Sequence, residues 1–165
     1  MSDQRQRKVI LDDVEAILPA NWQDQGMLTL TLPSTDKNVR PNVILTKERL
    51  TKPIDLQAYF AKIKEAVQAR GITSFKILQE KQIMLAGVPA MQLVCQWDLS
   101  AMKQMMGSNG PKLDHIKEGQ LVQQVQVSLI KGDVAINITA SFPADQFQLY
   151  ARPFQQFLQG FKFLS

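Results

Sequence analysis

The sequence predicts an α+β fold: a mainly antiparallel β-sheet with helices packed on one face. Apolar and polar residues alternate with a period of two in most of the patterned segments, and the three- and four-residue apolar spacing of a helix occurs in only two, 55–70 and 144–159. Strand runs separated by a single long helix, with one more helix at the end, favour antiparallel neighbours over repeated βαβ units. The 165 residues are 45% hydrophobic and 21% charged, which is ordinary for one globular domain spanning 1–165.

The first eleven residues are polar and charged, and 1–11 are expected to be flexible. Val14 to Leu18 reads as a short strand ended by Pro19 and a turn around Asn21, with Trp22 anchoring that turn. Met27 to Leu32 alternates strictly, with Leu28, Leu30 and Leu32 opposite Met27, Thr29 and Thr31, until Pro33 stops it. A polar loop, 34–41, leads to a strand over 42–47. Pro53 ends that extended stretch and Asp55 is placed to cap a helix. Leu56, Tyr59, Phe60, Ile63 and Val67 give that helix one apolar stripe, and Gly71 closes it.

Segments 74–85 and 89–98 form a hairpin about Ala86 and Gly87. Its second arm sets Met91, Leu93, Cys95 and Trp97 against Gln92, Val94 and Gln96. Residues 100–119 break the pattern and are expected to be a loop or short-helix insertion. The runs at 121–130 and 134–141 alternate cleanly: Val125, Val127 and Leu129 oppose Gln124, Gln126 and Ser128, and Val134, Ile136 and Ile138 oppose Asn137 and Thr139. Pro143 and Asp145 open the last helix, 144–159, and Pro153 within it predicts a kink or a split. Phe161 and Phe163 are read as a terminal strand.

A formal charge of +4 and a pI near 9.3 are mildly basic, with the excess gathered only at Arg5, Arg7 and Lys8, so nucleic acid is not an expected partner. The apolar run VIL is far shorter than the roughly 7–15 residues of a signal-peptide core. No segment reaches the roughly 20 apolar residues of a membrane helix, so direct membrane insertion is not expected and the expected location is cytoplasmic. The single cysteine, Cys95, rules out an internal disulfide and reads as a small buried hydrophobe.

No catalytic residue, metal ligand or cofactor site is expected. His115 is the only histidine and reads as a surface residue, and Asp12 and Asp13, adjacent in extended chain, point to opposite faces. Phosphate-binding glycine loops, the nucleophile-elbow motif and zinc spacings are missing from the sequence. Met102, Met105 and Met106 are read as core fillers, with an adaptable lip beside the sheet as the alternative.

The feature that asks for a function is a sheet face without charge. Water-facing strands normally carry lysine or glutamate, which keep them soluble and block stray pairing. Here amides and hydroxyls stand instead, and the readings are simple exposure, pairing with a second copy in a homodimer, or docking of an apolar helix. For docking, Ile44 and Val94 supply apolar contact, and Thr29, Thr31, Gln92, Gln96, Gln124, Gln126, Asn137 and Thr139 supply hydrogen bonds without bringing charge into a dry contact.

The segments LPANW, LTLTLP, PNVILTKERL, DLQAYF, FKILQEKQIMLAGVPAMQLVCQW and VQVSLIKGDVAINITASFP, followed by an aromatic C-terminal helix, resemble the DcrB and Eag group over roughly residues 12–163. The resemblance implies a Mog1/PsbP-like sandwich and, on the Eag side, a dimeric cytoplasmic adaptor chaperone. Such a chaperone binds and shields the transmembrane helices of a PAAR-domain type VI secretion effector before export. It implies as partners a secreted effector with apolar N-terminal helices and a second copy of the chain. The alternative is a non-enzymatic Mog1/PsbP-like binding module for a soluble protein. The basic N-terminus and the Met-rich stretch 100–119 depart from the Eag pattern.

Overall fold

The structure is a computed structural model that describes residues 7–11, 13–19, 22, 26–33, 39–72, 74–100 and 120–164. Asn21, His115, Met102, Met105, Met106, Asp12 and nearly all of the stretch 100–119 lie outside the described residues. Strands β1 (Arg7–Leu11) and β2 (Val14–Leu18) pair as an antiparallel hairpin. Residues 7–11 of the segment expected to be flexible therefore supply a strand: Leu11 pairs with Val14, and Lys8 meets Glu15 at 3.1 Å.

Six further strands form one antiparallel sheet: β3 (Leu28–Thr31), β4 (Asn42–Arg49), β5 (Lys76–Leu85), β6 (Val88–Asp98), β7 (Leu121–Lys131) and β8 (Val134–Pro143), in the spatial order β3-β4-β8-β7-β6-β5. Helix α1 (Leu56–Gln68) stands between β4 and β5, and a single 3₁₀ turn (Ala144–Gln146) leads from β8 into helix α2 (Phe147–Gln159). The α+β class and the mainly antiparallel sheet agree with the sequence.

The two helices, however, lie on opposite faces of the sheet. Phe142 shares a face with Ile136, Ile138 and Ala140, and its ring stacks on Tyr150 of α2 at 5.2 Å and meets Phe154 edge-on at 6.0 Å. Asn137 points the other way and donates to the Tyr59 hydroxyl of α1 at 2.8 Å. Both helices carry an apolar stripe, and β7 and β8 lie central enough in the sheet to need a cover on each side. The main core accordingly lies under α2, with Val125, Val127, Leu129, Ile136, Ile138 and Phe142 against Tyr150, Phe154 and Leu158.

Local chemistry accounts for the element ends. Asp55 is the N-cap of α1 and its carboxylate accepts from the Ala58 amide at 2.7 Å, satisfying one of the free amides of the first turn. The β5–β6 turn needs two left-handed residues, and Ala86 (φ 50) with Gly87 (φ 79) provides them. Pro153 neither splits nor interrupts α2, which runs from Phe147 to Gln159. Leu149, whose carbonyl would have received the missing amide, is 70% exposed, so water can serve that carbonyl.

Phe161 and Phe163 do not form a strand. They fold back on the core as an aromatic pair, rings 5.5 Å apart, with the Lys131 ammonium 4.3 Å above Phe163. Trp22 is 65% exposed and anchors nothing described beyond a turn in which its amide donates to the Pro19 carbonyl at 3.2 Å. Replacing Asp55 with alanine should lower stability by about 1 kcal/mol, read as an earlier thermal midpoint with an unchanged native spectrum.

Candidate functional site

Strand register decides which polar side chains share a surface. Across β4, β8 and β7 the partners are Ile44 with Thr139, Gln126 with Thr139, Gln124 with Ser141, and Ser128 with Asn137. Thr29 and Thr31 of β3 extend the same surface, since they pair with Ile44 and Asn42. Thr29, Thr31, Ile44, Gln124, Gln126, Asn137 and Thr139 therefore share the face on which α1 lies.

Gln92, Val94 and Gln96 do not join them. They pair with Val127, Val125 and Gln123, and so lie on the opposite face, toward α2. Both sides of β6 are covered, with Leu93 and Cys95 buried on one and Gln92 and Val94 on the other. Alternation on that strand left the choice of side open, and the register corrects it.

Helix α1 covers one end of its face. Tyr59 sits over β8 and β4, its hydroxyl donating to Glu48 at 3.0 Å while it accepts from Asn137. Lys64 reaches Glu80 of β5 at 2.8 Å. Beyond the helix, Thr29 and Thr31 are exposed and Ile44, Gln126, Thr139 and Ser141 are half-buried. This end has no charged side chain among these residues, Val39 and Leu99 pack on Val122 at its β7 side, and the adjoining β3 edge is also uncharged, with Met27, Leu28 and Leu30 exposed.

Two hydrogen-bonded chains organise the polar groups. Ser128 donates to Asn137 at 2.7 Å, continuing through Asn137 to Tyr59 and Glu48. In the other, Gln126 donates to the Gln124 carbonyl oxygen at 3.3 Å, the Gln124 amide donates to Ser141 at 3.1 Å, and the Cys95 thiol points at the same Gln124 oxygen at 3.9 Å. The second chain is incomplete: the side-chain oxygen of Gln126 is buried and accepts no hydrogen bond from any described residue. Such an acceptor costs about 1–3 kcal/mol unless a donor arrives.

Tyr59, Ser128 and Ser141 belong to this network and were missing from the sequence-based set. Ser141 continues the Asn137, Thr139 alternation and was legible there; Tyr59 was read only as part of an apolar stripe. Burial pushes the Tyr59 hydroxyl pKa up, the Asn137 bond opposes that, and Glu48 adds to it. Burial also pushes the Cys95 thiol up to about 11, against a smaller opposing effect of Arg70. Among the described residues no cluster of histidine, cysteine, aspartate or glutamate could hold a metal ion, and no helix is long and apolar enough to cross a membrane.

The fold and this face define a small α+β protein whose hydrogen-bonding sheet face is uncharged at one end and roofed by a helix at the other. The chain belongs to the DcrB family, whose model matches residues 16–108. It is similar in fold to PA94 of Pseudomonas aeruginosa, a protein of unknown function, with a TM-score of 0.69 at 16% identity over 97% of this chain and 98% of that one. LpqN of Mycobacterium tuberculosis, involved in cell envelope biogenesis, aligns over 75% of this chain and 71% of its own with a TM-score of 0.50 and 16% identity. The PsbP protein CyanoP of Synechocystis sp. PCC 6803 aligns over 86% and 81% with a TM-score of 0.47 and 8% identity. No curated protein matches the sequence.

Two outcomes test the site's internal chemistry. Tyr59→Phe leaves Asn137 without its acceptor and should cost about 1–2 kcal/mol in denaturant unfolding. The raised Cys95 pKa gives a pH dependence of definite sign: its contribution is complete below the ordinary thiol value of 9.0 and is lost as pH rises through about 11, because the unfolded thiol ionises first. Stability should fall over that window, and Cys95→Ala should flatten the slope measured by urea titration.

Proposed function

We propose that the protein is a non-enzymatic adaptor chaperone, cytoplasmic and dimeric, that shields the apolar N-terminal helices of a PAAR-domain type VI secretion effector before export. The observation that carries this reading is the uncharged end of the α1 face, where a buried amide chain stops at the unpaired Gln126 oxygen. Membership of the DcrB family and the resemblance to the Eag group support it.

A segment of about 20 apolar residues aggregates or inserts prematurely unless it is covered. A covering surface must offer apolar contact and keep charge away, yet stay wettable when empty. Ile44 supplies apolar contact, and threonine and glutamine keep the empty surface hydrated. A client helix bonds its own backbone internally, so its polar contacts with Thr29, Thr31 and Thr139 come from side chains: a serine, threonine or asparagine on the buried stripe, residues common where membrane helices pack.

Co-expression with an effector fragment carrying its N-terminal helices tests this. The wild type should yield a soluble complex, and Gln126→Lys or Ile44→Glu, each burying a charge, should reduce co-purified client by about tenfold or more. Leu149→Glu, on the exposed side of α2, should change nothing. Undiminished co-purification by both face variants, with native spectra, would reject the site. Recovery of soluble globular proteins alone would favour a binding module for a soluble partner.

A further inference from the structure

The face that carries α2 is only partly filled by it. Between the flank of α2 and strand β5 runs a cleft in two adjoining parts, of about 320 Å³ and 300 Å³, and Lys81, Gln92 and Gln155 border both. Val94 and Val125 of the sheet and Phe154 of α2 give the larger part an apolar lining.

Gln92 is the unusual residue. It is only 6% exposed, it lines both parts of the cleft, and its side-chain amide makes no hydrogen bond with any described residue. The side chain is enclosed but its amide atoms keep accessible surface where it lines the cleft, so a donor and an acceptor are both open to a ligand. Its cross-strand partner is Lys81, so the two side chains start about 5 Å apart on the same face. Glu80, next to Lys81 in sequence, points to the other face and pairs with Lys64 at 2.8 Å. Among the described residues, Lys81 is thus the sole ionisable group lining either part of the cleft.

We propose that this cleft binds the free C-terminus of a polypeptide that ends in an apolar residue. The last peptide group of such a chain carries one N–H and one C=O, the complement of the Gln92 amide. The terminal carboxylate follows that group by a single residue, which matches the neighbouring position of Lys81. The side chain of the last residue then lies on Val94, Val125 and Phe154. An internal peptide segment would bring no anion to Lys81, and a fatty acid would leave the Gln92 acceptor without a donor.

The proposal is independent of the effector-helix reading, because it concerns the opposite face of the sheet. N-acetyl-Phe-Leu as the free acid, its carboxamide, and decanoate serve as probes in NMR titrations. The free acid should bind saturably, shifting the resonances of Lys81, Gln92 and Phe154, and the carboxamide should bind about three- to fivefold more weakly, the loss expected for one partly exposed charge pair. Lys81→Ala should reduce the acid to the affinity of the carboxamide. Gln92→Leu should abolish binding of both with a thermal midpoint equal to or above that of the wild type, since an apolar side chain replaces an amide at a position only 6% exposed. Absence of saturable shifts at those residues up to about 10 mM free acid would overturn the proposal. So would an equal effect of Lys81→Ala on acid and carboxamide, or tighter binding of decanoate than of the dipeptide. Should Gln92→Leu fail to fold, the Lys81→Ala comparison decides alone.

Discussion

The register between β7 and β8 is the constraint from which the other arrangements follow. The two strands are joined by the Gly132-Asp133 turn, with Lys131 opposite Val134, and from that point each residue has a fixed partner out to Val122 and Pro143. A slip of one residue would turn every side chain of one strand to the wrong face. As paired, valines and isoleucines meet on one side, and serine, asparagine, glutamine and threonine meet on the other. Both interior surfaces of the protein are sorted by that one turn.

The two surfaces are held by different physics. Under α2 the contacts are apolar and aromatic, with Phe142 at the centre of three rings, Phe147, Tyr150 and Phe154, from the helix that follows its own strand. Such packing is tolerant of small shifts in angle but not of lost volume. Under α1 the contacts include the directional chain Ser128, Asn137, Tyr59 and Glu48, which ties the Tyr59 end of the helix to β8 and β4. Helix α1 is therefore positioned by hydrogen bonds, and the surface left beside it has a sharply defined boundary at Asn137.

How far the sequence revealed this depends on the length of each connection. β7 and β8 are joined by two residues, so alternation within each strand also fixed their mutual face, and the polar set Gln124, Gln126, Asn137 and Thr139 was legible. Between β6 and β7 the chain runs from Leu99 to Gln120, and a connection of that length leaves register free. Gln92, Val94 and Gln96 were accordingly assigned to the wrong side, the more easily because β6 is apolar enough on both. Asp55 and the Ala86-Gly87 turn were legible because caps and tight turns depend on local chemistry alone. The opposite placement of the two helices was not, since an apolar stripe says that a helix packs and not on which face.

The unpaired oxygen of Gln126 also bears on how long the empty protein lasts. A fold that carries an unmet hydrogen bond is less stable alone than with a donor in place, and a bound partner raises its stability further by mass action. Small changes of that size alter how much of a protein survives cellular proteolysis. On the proposed function, the half-life of the free protein is thereby tied to occupancy of the face, and its steady-state amount to the supply of client.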